Sequence, residues 1–277
     1  MKKNKVDRTP KQKVIRWGRI MIFLYGAAGI ALYYLQEKLL FHPTPLPSDY
    51  QYKFDVPFKE VNISLNATDN LNLVRFFPKD AIPKGVVLYF HGNRGNINRY
   101  AKYTTNFTKH GYEVWITDYP GYGKTTGKFT EENVYMQARE IYKLANTKFN
   151  NGSIIVYGKS LGSGIASWLV SKKPCMLLIL ETPYYSMPDL ISTYAPIYPV
   201  KTLSHFKFPT GDYLKEIRVP IVIFHGSDDW VIPYSCAEKL KKVLKPGDEF
   251  ITIEKGSHND LNDFPLFHEK LDSVLSL

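Results

Sequence analysis

Ser160 stands in the stretch Gly158-Lys159-Ser160-Leu161-Gly162, directly after the apolar run at 153–157. A serine hydroxyl is a poor nucleophile at neutral pH unless a base lies within hydrogen-bond reach and a carboxylate orients that base. Two later loops carry such groups. Asp228 and Asp229 lie in FHGSDDWVIP, His258 lies in KGSHNDL, and each loop follows a run that reads as a strand. Serine, then acid, then histidine is the chain order in which a serine held on a strand-to-helix turn finds its partners. The chemistry of such a set is acyl transfer, with His258 as the base toward Ser160. Pattern alone does not separate the neighbouring carboxylates Asp228 and Asp229.

The same glycines have a competing reading as a phosphate-binding loop, which requires G-x-x-x-x-G-K-S/T. Counting back from Gly158, the position that needs glycine holds Ser153, Gly152 is one residue too early, and the intervening SIIVY is strand rather than loop. G-x-S-x-G fits instead, because small flanking residues let strand turn into helix so tightly that the hydroxyl projects above the sheet. The first helical residue, Leu161, then offers a free amide beside the serine. His91 and His225 each precede glycine at a strand end and read as structural. Lys159 points away from its neighbour, and Asp118 reads as stabilising a turn. No pair among the seven histidines has the H-E-x-x-H spacing of a zinc hydrolase. No metal or organic cofactor is expected.

Alternating strands and helices must position these residues. VNISL and LNLVRFF flank NATDN as a hairpin at a sheet edge, and GVVLYF is a continuous apolar run suited to a strand buried on both faces. A helix over 97–110, the strand YEVWIT, a helix over 131–148, the strand SIIVY, a helix over 161–171 and the strand MLLIL follow. VPIVIF, a helix over 235–244, EFITI and a closing helix from Leu266 complete the series. The alternation predicts an α/β fold with a mostly parallel central sheet of about eight strands. One stretch interrupts it: residues 182–218 hold five prolines and a run of aromatics, among them Tyr184, Tyr185, Tyr194 and Tyr198. An insertion of that length in a compact domain is expected to be a lid or binding loop.

The net charge is +10, but eight basic residues and only Asp7 on the acidic side fall in positions 1–19, so +7 sits there and +3 on the rest. The body is close to balanced, which argues against a nucleic-acid face. Sixteen charge-free residues follow at 20–35, bordered by Trp17, Tyr33 and Tyr34. They give about 24 Å of helix, extendable across a bilayer core by snorkelling of Arg19 and Lys38. The small-x-small pairs that could mark signal cleavage fall inside this run, so a retained anchor is the reading, with the basic tail cytoplasmic and the body on the opposite side. The expected division is a tail at 1–19, an anchor at 20–38, a stiff Pro-rich linker at 39–59 and an enzyme domain at 60–277. Cys175 and Cys236 do not indicate a disulfide framework. The sequons at Asn62, Asn66, Asn106 and Asn151 matter only in a secretory lumen.

From about residue 60 onward the chain resembles the α/β-hydrolase superfamily. FHGN at 90–93 is similar to the family's His-Gly-x turn, DYPGYGKTTG at 118–127 to its Asp-aromatic-x-Gly-x-Gly loop, and HGSDDWVIP at 225–233 to its HGxxDxxVP pattern. With GSHNDL, these features look like a branch of serine hydrolases, many held by one N-terminal membrane span, and resemble protein depalmitoylase-like and prolyl-oligopeptidase-like hydrolases. The resemblance implies Asp229 rather than Asp228 as the acid, and the backbone N–H of Asn93 beside that of Leu161 as the oxyanion hole. The substrate expected is a small-molecule or lipid-like acyl ester or thioester, with the aromatic insertion as an apolar wall. A serine peptidase on the same residues is the alternative, with Asp189 or Asp212 available to hold a peptide N-terminus. A non-catalytic anchored binding protein is the third reading, opposed by the complete set of reactive residues.

Overall fold

The computed structural model describes residues 9–79 and 82–276. Lys2, Lys3, Lys5 and Arg8 of the basic tail lie outside the described residues. Helix α1, Pro10–Leu40, starts on a capping box in which Thr9 and Gln12 satisfy each other's backbone amides. It is longer than the anchor expected at 20–38, about 46 Å at the usual rise. Gln36 is its one buried residue.

The sheet is built from β1 (Phe58–Ser64), β2 (Asn70–Phe76), β3 (Gly85–Phe90), β4 (Tyr112–Thr117), β5 (Ile154–Lys159), β6 (Leu177–Glu181), β7 (Ile221–Gly226) and β8 (Glu249–Ile253). In space the order is β8-β7-β6-β5-β3-β4-β2-β1. β8 through β4 run parallel, while β1 and β2 form an antiparallel hairpin at one edge, as the polar turn between them predicts. The order reverses around β3, whose neighbours are β5 and β4. Ligands in open α/β sheets bind above the strand ends at such a reversal.

The period-2 alternation of side chains divides the core into two layers. Leu88, Val156, Leu178 and Ile223 face one way, toward α2 (Glu131–Asn146), α3 (Leu161–Lys172) and the insertion. Tyr89, Ile155, Ile179 and Val222 face the other, toward the turns after β3 and the closing helix α6 (Pro265–Leu275). The helix expected over 97–110 is broken into Ile97–Tyr100, Ala101–Thr104 and Thr105–Thr108. The last break falls at Thr104 and Thr105, whose hydroxyls donate to the Ala101 and Lys102 carbonyls and so compete with the helical ladder. The helix expected over 235–244 is α-helical only over Tyr234–Glu238 and tightens to 3-10 over Lys239–Val243.

The segment after α1 is not a free spacer. Phe41 is buried between the rings of Phe129 and Phe206, His42 and Pro43 pair with Arg94 and Gly95, and the Leu46 amide donates to the Gly123 carbonyl. Tyr52 is buried with its hydroxyl on Asn72. Prolines suit this route because they fix the extended backbone without needing a donor of their own. The insertion is likewise structured: α4 (Met187–Tyr194), a turn at Val200–Leu203 and α5 (Thr210–Glu216). Tyr33 and Gln36 of α1 dock on it. The Gln36 amide donates to the Leu203 carbonyl and its oxygen accepts from the His205 amide, with Tyr33 edge-on to the His205 ring.

Candidate active site

Ser160 sits at the tip of β5 with φ +52° and ψ −116°, a region that side-chain-bearing residues avoid. Its neighbours make the turn possible. A Cβ at Gly158 would lie 2.5 Å from the Gly162 carbonyl and 2.7 Å from the Ala166 side chain, and one at Gly162 would collide with the Phe90 carbonyl. The two glycines therefore let β5, α3 and the end of β3 meet at backbone contact. The Ser160 amide donates to the Glu181 carbonyl on β6, and its carbonyl accepts from the Ser163 amide and hydroxyl. The strain is held by bonds on both sides of the serine.

The adjoining strand ends bring in the other groups. Asp229 lies three residues beyond β7 and His258 five beyond β8, and the loops are tied together: the Ser227 amide donates to the Ile253 carbonyl and the Asp228 amide to the Gly256 carbonyl. The Ser160 hydroxyl lies 3.0 Å from His258 Nε2, and His258 Nδ1 lies 2.8 Å from Asp229 Oδ2. Asp229 Oδ1 accepts from the Val231 and Ile232 amides at 2.8 Å each. Burial alone would raise the carboxyl pKa, but the bonds from His258 and the loop amides hold it below the usual carboxylate value. Asp229 is therefore an anion positioned to orient an imidazole. Asp228 points to its own loop, accepting from the Ser227 hydroxyl. The structure thus distinguishes carboxylates that the sequence pattern could not.

Asn93 and Leu161 border one small cavity with Ser160, about 60 Å³ in volume. The pairing of Phe90 with Gly158 carries the turn after β3 to the serine, and a Cβ at Gly92 would be 3.6 Å from Ser160 Cβ. Asn93 is pinned by its carbonyl, which accepts from the His42 amide and the Tyr122 hydroxyl, and by its side-chain amide, which donates to the Leu40 carbonyl. Leu161, as the first residue of α3, has an amide without an intrahelical acceptor. His91 and Asp118 are both fully buried, 3.2 Å apart, with Asp118 also accepting from the Ile97 amide; they brace this turn from below.

Lys159 is buried. It pairs with Glu181, which also accepts from the Tyr157 hydroxyl, and Lys159 Nζ reaches the His258 carbonyl at 3.4 Å. No base-like role follows; the ammonium neutralises a buried carboxylate beneath the serine. His225 is also buried, 3.7 Å from Asp229, and burial lowers its pKa below the ordinary histidine value. It remains neutral behind the acid.

The four insertion tyrosines separate. Tyr184 is buried against the serine cavity with its hydroxyl on the Leu161 carbonyl. Tyr185 is not in the pocket as expected: its ring covers Gly211 of α5, where a Cβ would collide with it. Tyr194 and Tyr198 line a second cavity between α1 and the insertion. Residues not anticipated as walls of the serine cavity are Leu40, Phe41, Met187, Leu190, Val231 and Ile232. Val231 and Ile232 were visible in the acid loop, whereas Leu40 and Phe41 fall in the linker expected at 39–59. Asp189 is paired with Lys239 at 2.6 Å and Asp212 with Lys215 at 2.7 Å, and neither borders the serine cavity. Among the described residues, no cluster of His, Cys, Asp and Glu suits a metal ion.

A family model described as serine aminopeptidase, S33, matches residues 81–208. Alpha/beta hydrolase domain-containing protein 17C is 25% identical over 238 residues in both Mus musculus and Homo sapiens, covering 83% of this chain and 72% and 70% of those proteins. An esterase of Pyrococcus furiosus superposes with a TM-score of 0.66 at 18% identity, over 85% of this chain and 96% of that one. Est1E from Butyrivibrio proteoclasticus does so at 0.61 and 15%, over 78% and 97%. By sheet order and structural likeness the chain has the α/β-hydrolase fold, and the matched model and the relatives support hydrolase activity.

Proposed function

We propose that the chain is a membrane-anchored serine hydrolase that cleaves ester or thioester bonds of acyl substrates. The observation that carries this reading is the continuous chain of hydrogen bonds from Ser160 through His258 to Asp229. In the mechanism, the Ser160 oxygen attacks the acyl carbonyl while His258 Nε2 takes its proton. Asp229 stabilises the resulting imidazolium and fixes its tautomer. The Leu161 and Asn93 amides stabilise the oxyanion, about 3 kcal/mol for each donor in comparable sites. His258 returns its proton to the departing alcohol or thiol, leaving Ser160 acylated. Water, deprotonated by His258, then adds to the acyl carbonyl, and Ser160 leaves with the proton.

The apolar walls of the serine cavity favour an acyl group over a charged peptide terminus, and the lysine pairing of Asp189 and Asp212 weakens the peptidase alternative. The aminopeptidase description of the matched family model keeps that alternative in the test. α1 is long and apolar enough to cross a membrane, which supports anchoring, and the eight basic residues at 1–19 are the ground for proposing a cytoplasmic N-terminus with the body on the far side. A fluorophosphonate probe is expected to label the wild type and to lose labelling in Ser160→Ala and His258→Ala; equal labelling of all three defeats the serine mechanism. Turnover of acyl esters and thioesters but not aminoacyl amides is the expected substrate pattern. Protease protection in sealed vesicles reads the side on which the body lies.

A further inference from the structure

We infer that the cavity between α1 and the insertion is the binding site for the long acyl chain of a membrane-borne ester, which enters sideways from the bilayer. The inference rests on the serine hydrolase and anchor readings. The cavity holds about 270 Å³ and is walled by Leu32, Leu39 and Leu40 of α1 and by Ile191, Tyr198 and Leu203 of the insertion. That volume lies near the ~300 Å³ lower end of small-molecule pockets. Its lining is apolar except for a few hydroxyls and Gln36, whose amide is engaged by backbone groups. Leu40 belongs to its wall and to the wall of the serine cavity, and the consecutive residues Leu190 and Ile191 face one cavity each. A layer one side chain thick thus separates the acyl site from Ser160.

The depth of the cavity identifies the source of the chain. The tip of the insertion climbs along α1: Tyr198 stacks on Tyr25 at 4.7 Å, its hydroxyl donating to the Tyr25 carbonyl, and the Tyr25 hydroxyl donates to the Ile197 carbonyl. Tyr25 stands fifteen residues before Leu40, about 22 Å along the helix and inside the charge-free run. Wherever α1 crosses the hydrocarbon, Ile197 and Tyr198 lie in it too. Ile197 is 68% exposed and Trp230, at the rim of the acid loop, 85% exposed. Tyr194 ties the insertion to the acid loop, its hydroxyl donating to the Trp230 and Val231 carbonyls. Aromatic residues of this kind collect at the lipid interface. The cavity therefore lies beside the part of α1 that acyl chains would surround, and its inner wall, Leu40, is shared with the serine cavity, so that a turn of this one side chain would join the two.

The test uses the full chain reconstituted in phosphatidylcholine vesicles, with p-nitrophenyl palmitate in the bilayer and p-nitrophenyl butyrate in solution as probes. Filling the cavity with Ala195→Trp or Leu203→Phe is expected to lower the palmitate-to-butyrate ratio of kcat/KM at least tenfold, with fluorophosphonate labelling reporting that each variant is folded. A ratio within twofold of wild type in both labelled variants overturns the inference and leaves the serine mechanism standing. Wild type that neither labels nor turns over butyrate overturns both. If neither variant folds, crosslinking decides: phosphatidylcholine with a terminal diazirine on one chain, added to Ser160→Ala, is expected to mark the cavity walls, 191–204 and 32–40. Crosslinks confined to the outward face around Met21–Phe23 overturn the inference.

Discussion

At the scale of single residues, the site depends on which of two adjacent carboxylates faces the imidazole. Asp229 makes that contact and Asp228 does not. Asp229→Asn is therefore expected to lower kcat by about ten-thousand-fold, through loss of tautomer control and of imidazolium stabilisation. Asp228→Asn is expected to stay within a few-fold of wild type in the same ester assay. Beneath the serine, the buried Lys159–Glu181 pair makes a different prediction. Lys159→Met leaves an uncompensated carboxylate and should cost about 3–5 kcal/mol in urea unfolding, whereas Lys159→Met combined with Glu181→Leu should recover much of that loss. Ser160, His258 and the two carboxylates were legible in the sequence as a candidate site because short motifs encode the turns that hold them. The role of Lys159 was not, since its partner lies on the next strand and only register brings Glu181 opposite.

At the scale of elements, strands were read well because burial on both faces demands uninterrupted apolar runs, and all eight occur where such runs or alternation predicted them. Helices next to β-branched residues were read less well, as the threonine-broken segment after β3 shows. The insertion was legible as an interruption but not as a structure: Tyr185 serves Gly211, and Asp189 serves Lys239, through tertiary contacts that leave no periodic trace. The docking of α1 on the insertion rests on few polar groups, so it should be separable from the rest of the fold. Gln36→Ala removes the partners of the Leu203 carbonyl and the His205 amide, each bond worth about 1 kcal/mol net. Hydrogen exchange is expected to accelerate over 203–206 and to stay slow in the central strands; uniform acceleration would refute this local reading.

At the scale of the whole molecule, stability should fall in mild acid for a reason located behind the site. His225 is buried and neutral, with a pKa lowered from 6.5 chiefly by burial. The unfolded chain binds a proton there that the folded chain does not, so stability rises with pH across the interval between the two pKa values and is lost as pH falls below about 6.5. His225→Gln should flatten this part of a melting-temperature profile, and an unchanged slope would assign the acid sensitivity elsewhere. The packing of Phe41 bears on how the molecule can be divided. Its ring lines the serine cavity while its backbone caps the end of α1, so no cut separates the helix from an intact body. On the proposed mechanism, a fragment beginning after Phe41 would carry a gap between Phe129 and Phe206, admit bulk solvent beside Ser160, and be expected to hydrolyse small esters with little regard for the shape of their acyl part.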